Sequence, residues 1–265
     1  MYVDEVKEIH MHGRAILAGI AMLFASAGPV VAQTASDFKA CTNKDDKVGP
    51  VDQIRACSVF LRTRRAISGK PAPMDALSAI AYFRASAYIK RGEIDLAIAD
   101  YDLGLTFNPA NYSLYQLRGY AYHQKGDFVR ALNDYNDYIK ASPSVENPAA
   151  LSVIFANRGS IRMEQRDYTA AMTDLNEAIR LHAENGFAFY MRGQVFQIRD
   201  DDAQAKSDYQ SAVRFNPNLK PLVESAVATH ALNRAWANYL TEIQNDGDFA
   251  NWSSPPLDAL RRSQQ

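Results

Sequence analysis

A chain of 265 residues, 47% of them apolar, is long enough to bury a sizeable core. Its 29 basic and 30 acidic residues nearly cancel, and no basic tract or basic-aromatic interleaving occurs, so the electrostatic footprint of a nucleic-acid partner is absent. Two cysteines, without a histidine near either, supply too few ligands for a metal site.

The chain opens with an apolar run from Ala15 to Ala27, preceded by Arg14 and ended by Gly28-Pro29. This is the pattern of a secretory signal, and the small residues Val30 and Ala32 place the cut after Ala32, so residues 1–32 are read as a signal peptide. The run is short for a membrane span, which needs about 20 apolar residues. The alternative is an uncleaved signal that anchors the protein in the inner membrane. Residues 1–10 are net acidic, unlike the lead of a signal, and Met11 is a candidate start. Without residues 1–32 the chain keeps 27 basic and 27 acidic residues and is formally neutral. The expected location is the bacterial periplasm or the exterior, with no stable membrane insertion after cleavage.

From residue 78 onward one pattern recurs. Ala85, Tyr88, Gly92, Ala97, Tyr101 and Pro109 are followed 34 residues later by Gly119, Tyr122, Gly126, Ala131, Tyr135 and Pro143. The third copy, offset by 40 residues, has Phe155, Gly159, Ala171, Leu175 and Ala178, with extra residues around Ser144 to Ala149 that read as a longer loop. The fourth has Phe189, Gly193, Phe196, Ala205, Tyr209, Ala212 and Pro217. Arg162 takes the third copy's aromatic place and Ala183 that of its terminal Pro, which predicts looser packing there. Small residues on the two helices of each copy are expected to meet, with large rings filling the gaps beside them.

This spacing and these residue types resemble the tetratricopeptide repeat, a 34-residue helix-turn-helix unit. The resemblance implies an all-α fold: a right-handed α-solenoid of helical hairpins with a C-terminal capping helix, since one hairpin cannot bury its apolar face alone. Four repeats are placed at about 78–111, 112–145, 152–185 and 186–219.

Extended backwards, the register puts Cys41 and Cys57 at facing positions of one hairpin, with Asn43 to Pro50 as its turn. Residues 33–77 are thus read as a degenerate leading hairpin and linker whose cysteines form a disulfide; two unpaired buried thiols are the alternative. Exported bacterial members of the family resemble this in opening with a cysteine-containing hairpin. Beyond Pro217, Leu222, Val223, Ala226, Val227, Ala235, Tyr239 and Ile243 keep helical spacing and predict a helix over 218–244 that covers the last repeat. Residues 245–265 read as a flexible tail in which Phe249 and Trp252 are either surface residues or part of a segment that docks on a partner or on the protein's own groove.

A polar regularity accompanies the repeats. Arg84, Arg118, Arg158 and Arg192 precede the small residue of each first helix, and Asp100, Asp134, Asp174 and Asp208 follow sixteen residues later. A planar guanidinium suits a carboxylate at such a border, which predicts a structural ladder, with an anion-binding row of arginines as the other reading.

No catalytic constellation is legible: the histidines are scattered, no phosphate-cradling glycine loop occurs, and no nucleophile sits in a recognisable elbow. No enzyme activity, cofactor or metal is expected. Function is sought on the inner face that the family uses for peptides or partner helices. The register places there Tyr82, Ser86, Gln116, Tyr120, His123, Gln124, Asn157, Ser160, Phe187, Tyr190, Gln194 and Gln197, an almost uncharged set. Positions at which family members grip a terminal carboxylate hold Tyr82, Ser86, Leu117, Val153 and Asn157, of which only Asn157 fits. The sequence therefore predicts an exported scaffold that binds another protein or peptide without a carboxylate clamp. A glycan-binding envelope protein and a self-associating structural subunit are the alternatives.

Overall fold

The computed structural model describes residues 29–66, 68, 70–141 and 147–246, with the side chains of 29–34, 239, 240 and 242–246 left aside. The signal reading of 1–28 and the aromatics Phe249 and Trp252 lie outside these residues. Eleven α-helices are described: α1 (Pro29–Thr42), α2 (Pro50–Thr63), α3 (Met74–Lys90), α4 (Ile94–Phe107), α5 (Tyr112–Gln124), α6 (Phe128–Ala141), α7 (Pro148–Glu164), α8 (Tyr168–Leu181), α9 (Gly186–Ile198), α10 (Asp202–Phe215) and α11 (Lys220–Asp246). A single turn of 3₁₀ helix, Pro217–Leu219, joins the last two. The fold is all-α; the only extended pairing among the described residues is an isolated bridge between Arg65 and Pro71 in the linker. The chain divides into two compact units, Met1–Ile161 and Arg162–Gln265, with the division inside α7.

Each repeat turns the chain by the same device. After α3 and α5, Gly92 and Gly126 both take φ of +74°, and the amides of Glu93 and Asp127 reach back to the carbonyls of Tyr88 and Tyr122 at 2.9 Å. This double closure satisfies carbonyls left over at a helix end, and glycine adopts its left-handed backbone without a Cβ clash. In the second unit Arg166 (φ 63°) and Asp200 (φ 57°) occupy the equivalent places with the same bonds, so those two turns form against a steric penalty. Asp167 and Asp201 then cap α8 and α10 by accepting from Ala170 N and Gln204 N.

Packing within a hairpin follows the small residues. A Cβ at Gly119 would stand 2.8 Å from the ring of Tyr135, and one at Gly193 would stand 2.8 Å from the ring of Tyr209. The ring lies directly over the glycine as well as beside it, and at Gly193 the backbone oxygen of Ala205 on the facing helix is also close, 3.4 Å from where a Cβ would stand. Tyr101, Tyr135, Leu175 and Tyr209 are all buried at this position, as are Ala97, Ala131, Ala171 and Ala205 one turn earlier.

The leading hairpin, α1 and α2, replaces that ring with a covalent link. Cys41 and Cys57 form a disulfide with Cα atoms 4.7 Å apart. Phe38 and Phe60 meet edge to face at 5.9 Å, and the buried Gln53 amide donates to the Cys41 carbonyl at 2.9 Å. Asn43 closes the turn by donating to Val48 O and accepting from Val48 N. Helix α1 begins at Pro29, so the Ala32–Gln33 bond read as a cleavage site lies within it.

Helix α11 is the expected C-terminal helix, and it covers the last hairpin only in part. Leu222 and Val227, placed by their spacing on the covered face, are 49% and 46% exposed. The helix is held at the buried Leu219 and, further along, by His230 and Arg234 on Asp202. Between those two points it stands away from α10.

Candidate functional site

The arginines of the first helices sit where two hairpins meet. Arg84 donates through Nε and Nη2 to both oxygens of Asp100, at 2.7 and 2.5 Å, and Arg118 grips Asp134 in the same way at 2.9 and 2.6 Å. In the second unit Arg192 holds Asp208 at 2.7 and 2.8 Å. In each pair the carboxylate is buried and the guanidinium side chain about one-fifth exposed. Burial pushes the carboxyls of Asp100 and Asp134 up, and the facing guanidiniums pull against that. The Arg84 guanidinium is in turn raised by the Asp100 carboxylate that it grips. Such a pair gains from its fixed two-pronged geometry, and each partner satisfies the other's buried polar atoms.

The third prong was not foreseen. Nη1 of Arg84 donates to Ser58 at 3.0 Å, that of Arg118 to Asp102 at 2.5 Å, that of Arg158 to Asn136 at 2.6 Å and that of Arg192 to Asn176 at 2.8 Å. Ser58, Asp102, Asn136 and Asn176 share one register position, immediately after the Cys57, Tyr101, Tyr135 or Leu175 of the preceding hairpin. Arg84, Arg118 and Arg192 thus each clamp both their own hairpin's second helix and the one before it. The signal was present in the sequence as four short polar residues at a fixed place. In the third repeat Asp174 takes Arg162 at 2.8 Å, and Arg162 Nη1 also reaches Ala170 O at 3.3 Å. The residue that broke the aromatic pattern therefore supplies an ion pair, where the sequence predicted only looser packing.

The inner-face residues do not form one equally accessible set. Gln116, Asn157 and Ser160 are buried, Gln124 is exposed, and Tyr82, Ser86, Tyr120, His123, Phe187, Tyr190, Gln194 and Gln197 are half-buried. In the first unit Tyr82 lies against Phe83 at 5.1 Å; burial raises its phenol, opposed by a hydrogen bond with Ser86. His123 meets Phe128 edge-on at 5.8 Å. In the second unit Gln194 Nε2 donates to the Tyr190 hydroxyl at 3.0 Å, and Tyr209 donates to Gln197 Oε1 at 2.7 Å. Each glutamine has spent part of its capacity: Gln194 keeps its carbonyl oxygen and Gln197 its NH₂ group for other partners. At the positions tested against a carboxylate clamp, Leu117 is buried among the core residues and Asn157 is also buried.

Among the described residues no three His, Cys, Asp or Glu side chains gather as metal ligands, and no helix is long and apolar enough to cross a membrane.

The family model for the tetratricopeptide repeat matches residues 78–111, 112–145 and 153–185. The hairpin of α9 and α10 lies beyond the matched residues and repeats the same Gly-ring contact and Arg-Asp grip. Human tetratricopeptide repeat protein 6 is 25% identical over 142 residues, covering 54% of this chain and 26% of its own. Protein unc-45 homolog B of Danio rerio is 29% identical over 107 residues, covering 40% of this chain and 11% of its own. The chain therefore spans about a quarter or less of the length of these relatives. A tetratricopeptide repeat protein from Parabacteroides merdae superimposes with a TM-score of 0.61 at 15% identity, covering 89% of this chain and 86% of that one. A MamA fragment from Desulfovibrio magneticus gives 0.56 at 13% identity, covering 73% and 98%. The fold is that of the tetratricopeptide-repeat solenoids. Register, hairpin geometry and family model agree that residues 78–185 carry tetratricopeptide repeats.

Proposed function

We propose that the protein is an exported scaffold that binds segments of another protein on the inner faces of its first helices, without catalysis. One observation carries this reading: the half-buried residues of those faces are uncharged and mix tyrosine with amides, as in Tyr82, Ser86 and Tyr120 of the first unit and Tyr190, Gln194 and Gln197 of the second. Rings of this kind cover apolar side chains, and the unused amide groups can meet a peptide backbone; tyrosine is enriched among residues that dominate binding energy. Since no charge steers the encounter, capture should change little with ionic strength. The saturated arginines favour a structural ladder over an anion-binding row.

Export is supported by the apolar run before Gly28-Pro29 and by the Cys41–Cys57 bridge, a bond that persists in oxidising compartments. Sequencing the amino terminus of native protein should return Gln33; a membrane-bound form that retains Met1 or Met11 would replace export by anchoring. Crosslinking from the native envelope should identify the partner. Replacing Tyr120 and Tyr190 together by Ala should then reduce capture at least tenfold with helical content unchanged. Unchanged capture by the folded double variant would move the site off these faces. Selective retention on polysaccharide, with no protein captured, would replace the reading by a glycan binder.

A further inference from the structure

The outer side of the last hairpin holds an unfilled place. Between α10 and α11, within the second unit, runs a groove of about 840 Å³ whose walls include Ala205, Tyr209 and Val213 on one side and Val223, Val227 and Ala231 on the other. Gln210 lies on the same groove. It occupies the register position of Ser58, Asp102, Asn136 and Asn176, each of which accepts an arginine Nη1 from the hairpin that follows. The arginine of α11 does not reach this place, because Arg234 is engaged with Asp202, eight residues earlier on α10. The last hairpin therefore presents both an apolar groove and an acceptor position that every earlier hairpin has filled.

The arginines that fill those positions come in a recurrent setting. Ile80, Phe83 and Arg84, and again Leu114, Leu117 and Arg118, are two buried apolar residues three apart followed at once by the arginine. The same spacing occurs in Leu257, Leu260 and Arg261, beyond the described residues. Ser253-Ser254-Pro255-Pro256 directly before it is a helix-start signal, serine at the cap and proline in the first turn. The distance can be covered. The described chain ends at Asp246, twelve residues beyond Arg234 at the groove, which is about 18 Å of helix. Residues 247–256 span up to about 33 Å when extended.

We propose that the segment from Pro255 to Arg262 docks in this groove of its own chain, with Leu257 and Leu260 against the apolar walls and Arg261 on Gln210. It completes the last hairpin as a substitute for the first helix of a further repeat. Asp258, three residues before Arg261, offsets its charge beside a groove rimmed by Lys206, Arg214, Lys220 and Arg234 against Asp202 and Glu224.

Hydrogen exchange on the full chain, followed by mass spectrometry, tests this directly. Amides of 257–262 should exchange at least tenfold more slowly than in the free peptide 253–265. That protection should be independent of protein concentration, and it should be lost in Leu257→Asp/Leu260→Asp while α3 to α6 keep theirs. Exchange of 257–262 at the free-peptide rate would overturn the proposal, as would protection that survives the double substitution. Protection that rises with protein concentration would also overturn it, by assigning the groove to a second copy.

Discussion

Among the described residues the leading hairpin, α1 and α2, and the last one, α9 and α10, each pack on a regular hairpin on one side only, and their chemistry differs accordingly. In the leading hairpin a disulfide stands where later copies place a ring, and Phe38, Phe60 and Gln53 pack and bond around it. The last hairpin keeps the full repeat signature, with Tyr209 over Gly193 and Arg192 on Asp208, and is followed by a helix that stands partly away from it. The leading hairpin is thus secured from within by a covalent link, whereas the last depends on what lies against its outer face. Repeat stability is the sum of internal and nearest-neighbour terms, so the two hairpins should fail under different conditions.

Breaking a clamp should have the largest effect on either. Arg118→Ala leaves the buried Asp134 carboxylate without its two-pronged partner and should cost about 3 to 5 kcal/mol, whereas Lys140→Ala, at a side chain 77% exposed, should change stability by less than about 0.5 kcal/mol. Urea denaturation of both variants checks this.

Removing the bridge by Cys41→Ser/Cys57→Ser should cost about 3 kcal/mol. The loss should be confined first to α1 and α2: hydrogen exchange should show those helices opening while the amides of α9 and α10 keep their protection. Simultaneous loss of protection in both hairpins would show that the leading hairpin has no separate stability.

A smaller effect is expected at the glycines. Gly193→Ala drives a methyl against the Tyr209 ring and should destabilise by about 1 to 3 kcal/mol in spite of alanine's better helix propensity. At the turns the sign reverses. Asp200→Gly relieves a left-handed backbone at φ 57° and should stabilise the last hairpin, by no more than about 1 kcal/mol. Thermal melts of the two variants should move in opposite directions.

The smallest effect concerns acid. Arg130, bonded to the partly exposed Asp127, holds that carboxyl below the ordinary carboxylate range, whereas burial raises that of Asp134. A lowered folded value means that Asp127 adds stability above its unfolded pKa of about 3.9 and loses it as pH falls through the folded value. For Asp134 the sign is opposite: stability declines as pH rises from the unfolded value to the raised folded one. Carboxyl-carbon titration should place the Asp134 midpoint above that of Asp127, and the reverse order would contradict the burial argument.

Much of the fold was legible because the 34-residue period is written in residue size, and size governs how closely two helices approach. Gly119 and Gly193 declare a close approach, and Ala131 and Ala205 mark the facing helix. The partner of the approach was not legible: the ring of Tyr135 lies over Gly119, and only the hairpin's crossing geometry decides that. Candidate inner-face residues were harder still. Gln116, Asn157 and Ser160 share the first helices with Tyr120, yet they are buried, because each first helix is covered on more than one side and leaves only a narrow stripe open. The looseness of α11 had no signal either. Its apolar spacing is that of a docked helix, but spacing gives a face and no distance, and the contact of Arg234 with Asp202 sets where the helix stands.

The central claim is that the uncharged inner faces of the first helices receive a partner protein. The most direct measurement places a photo-crosslinking amino acid at Tyr120 or Tyr190, and for contrast at Asp137 or Gln204 on the exposed sides of second helices, in native envelope. Adducts with one protein partner at Tyr120 and Tyr190, and none at Asp137 and Gln204, are the predicted result. Adducts confined to Asp137 and Gln204 would contradict the account.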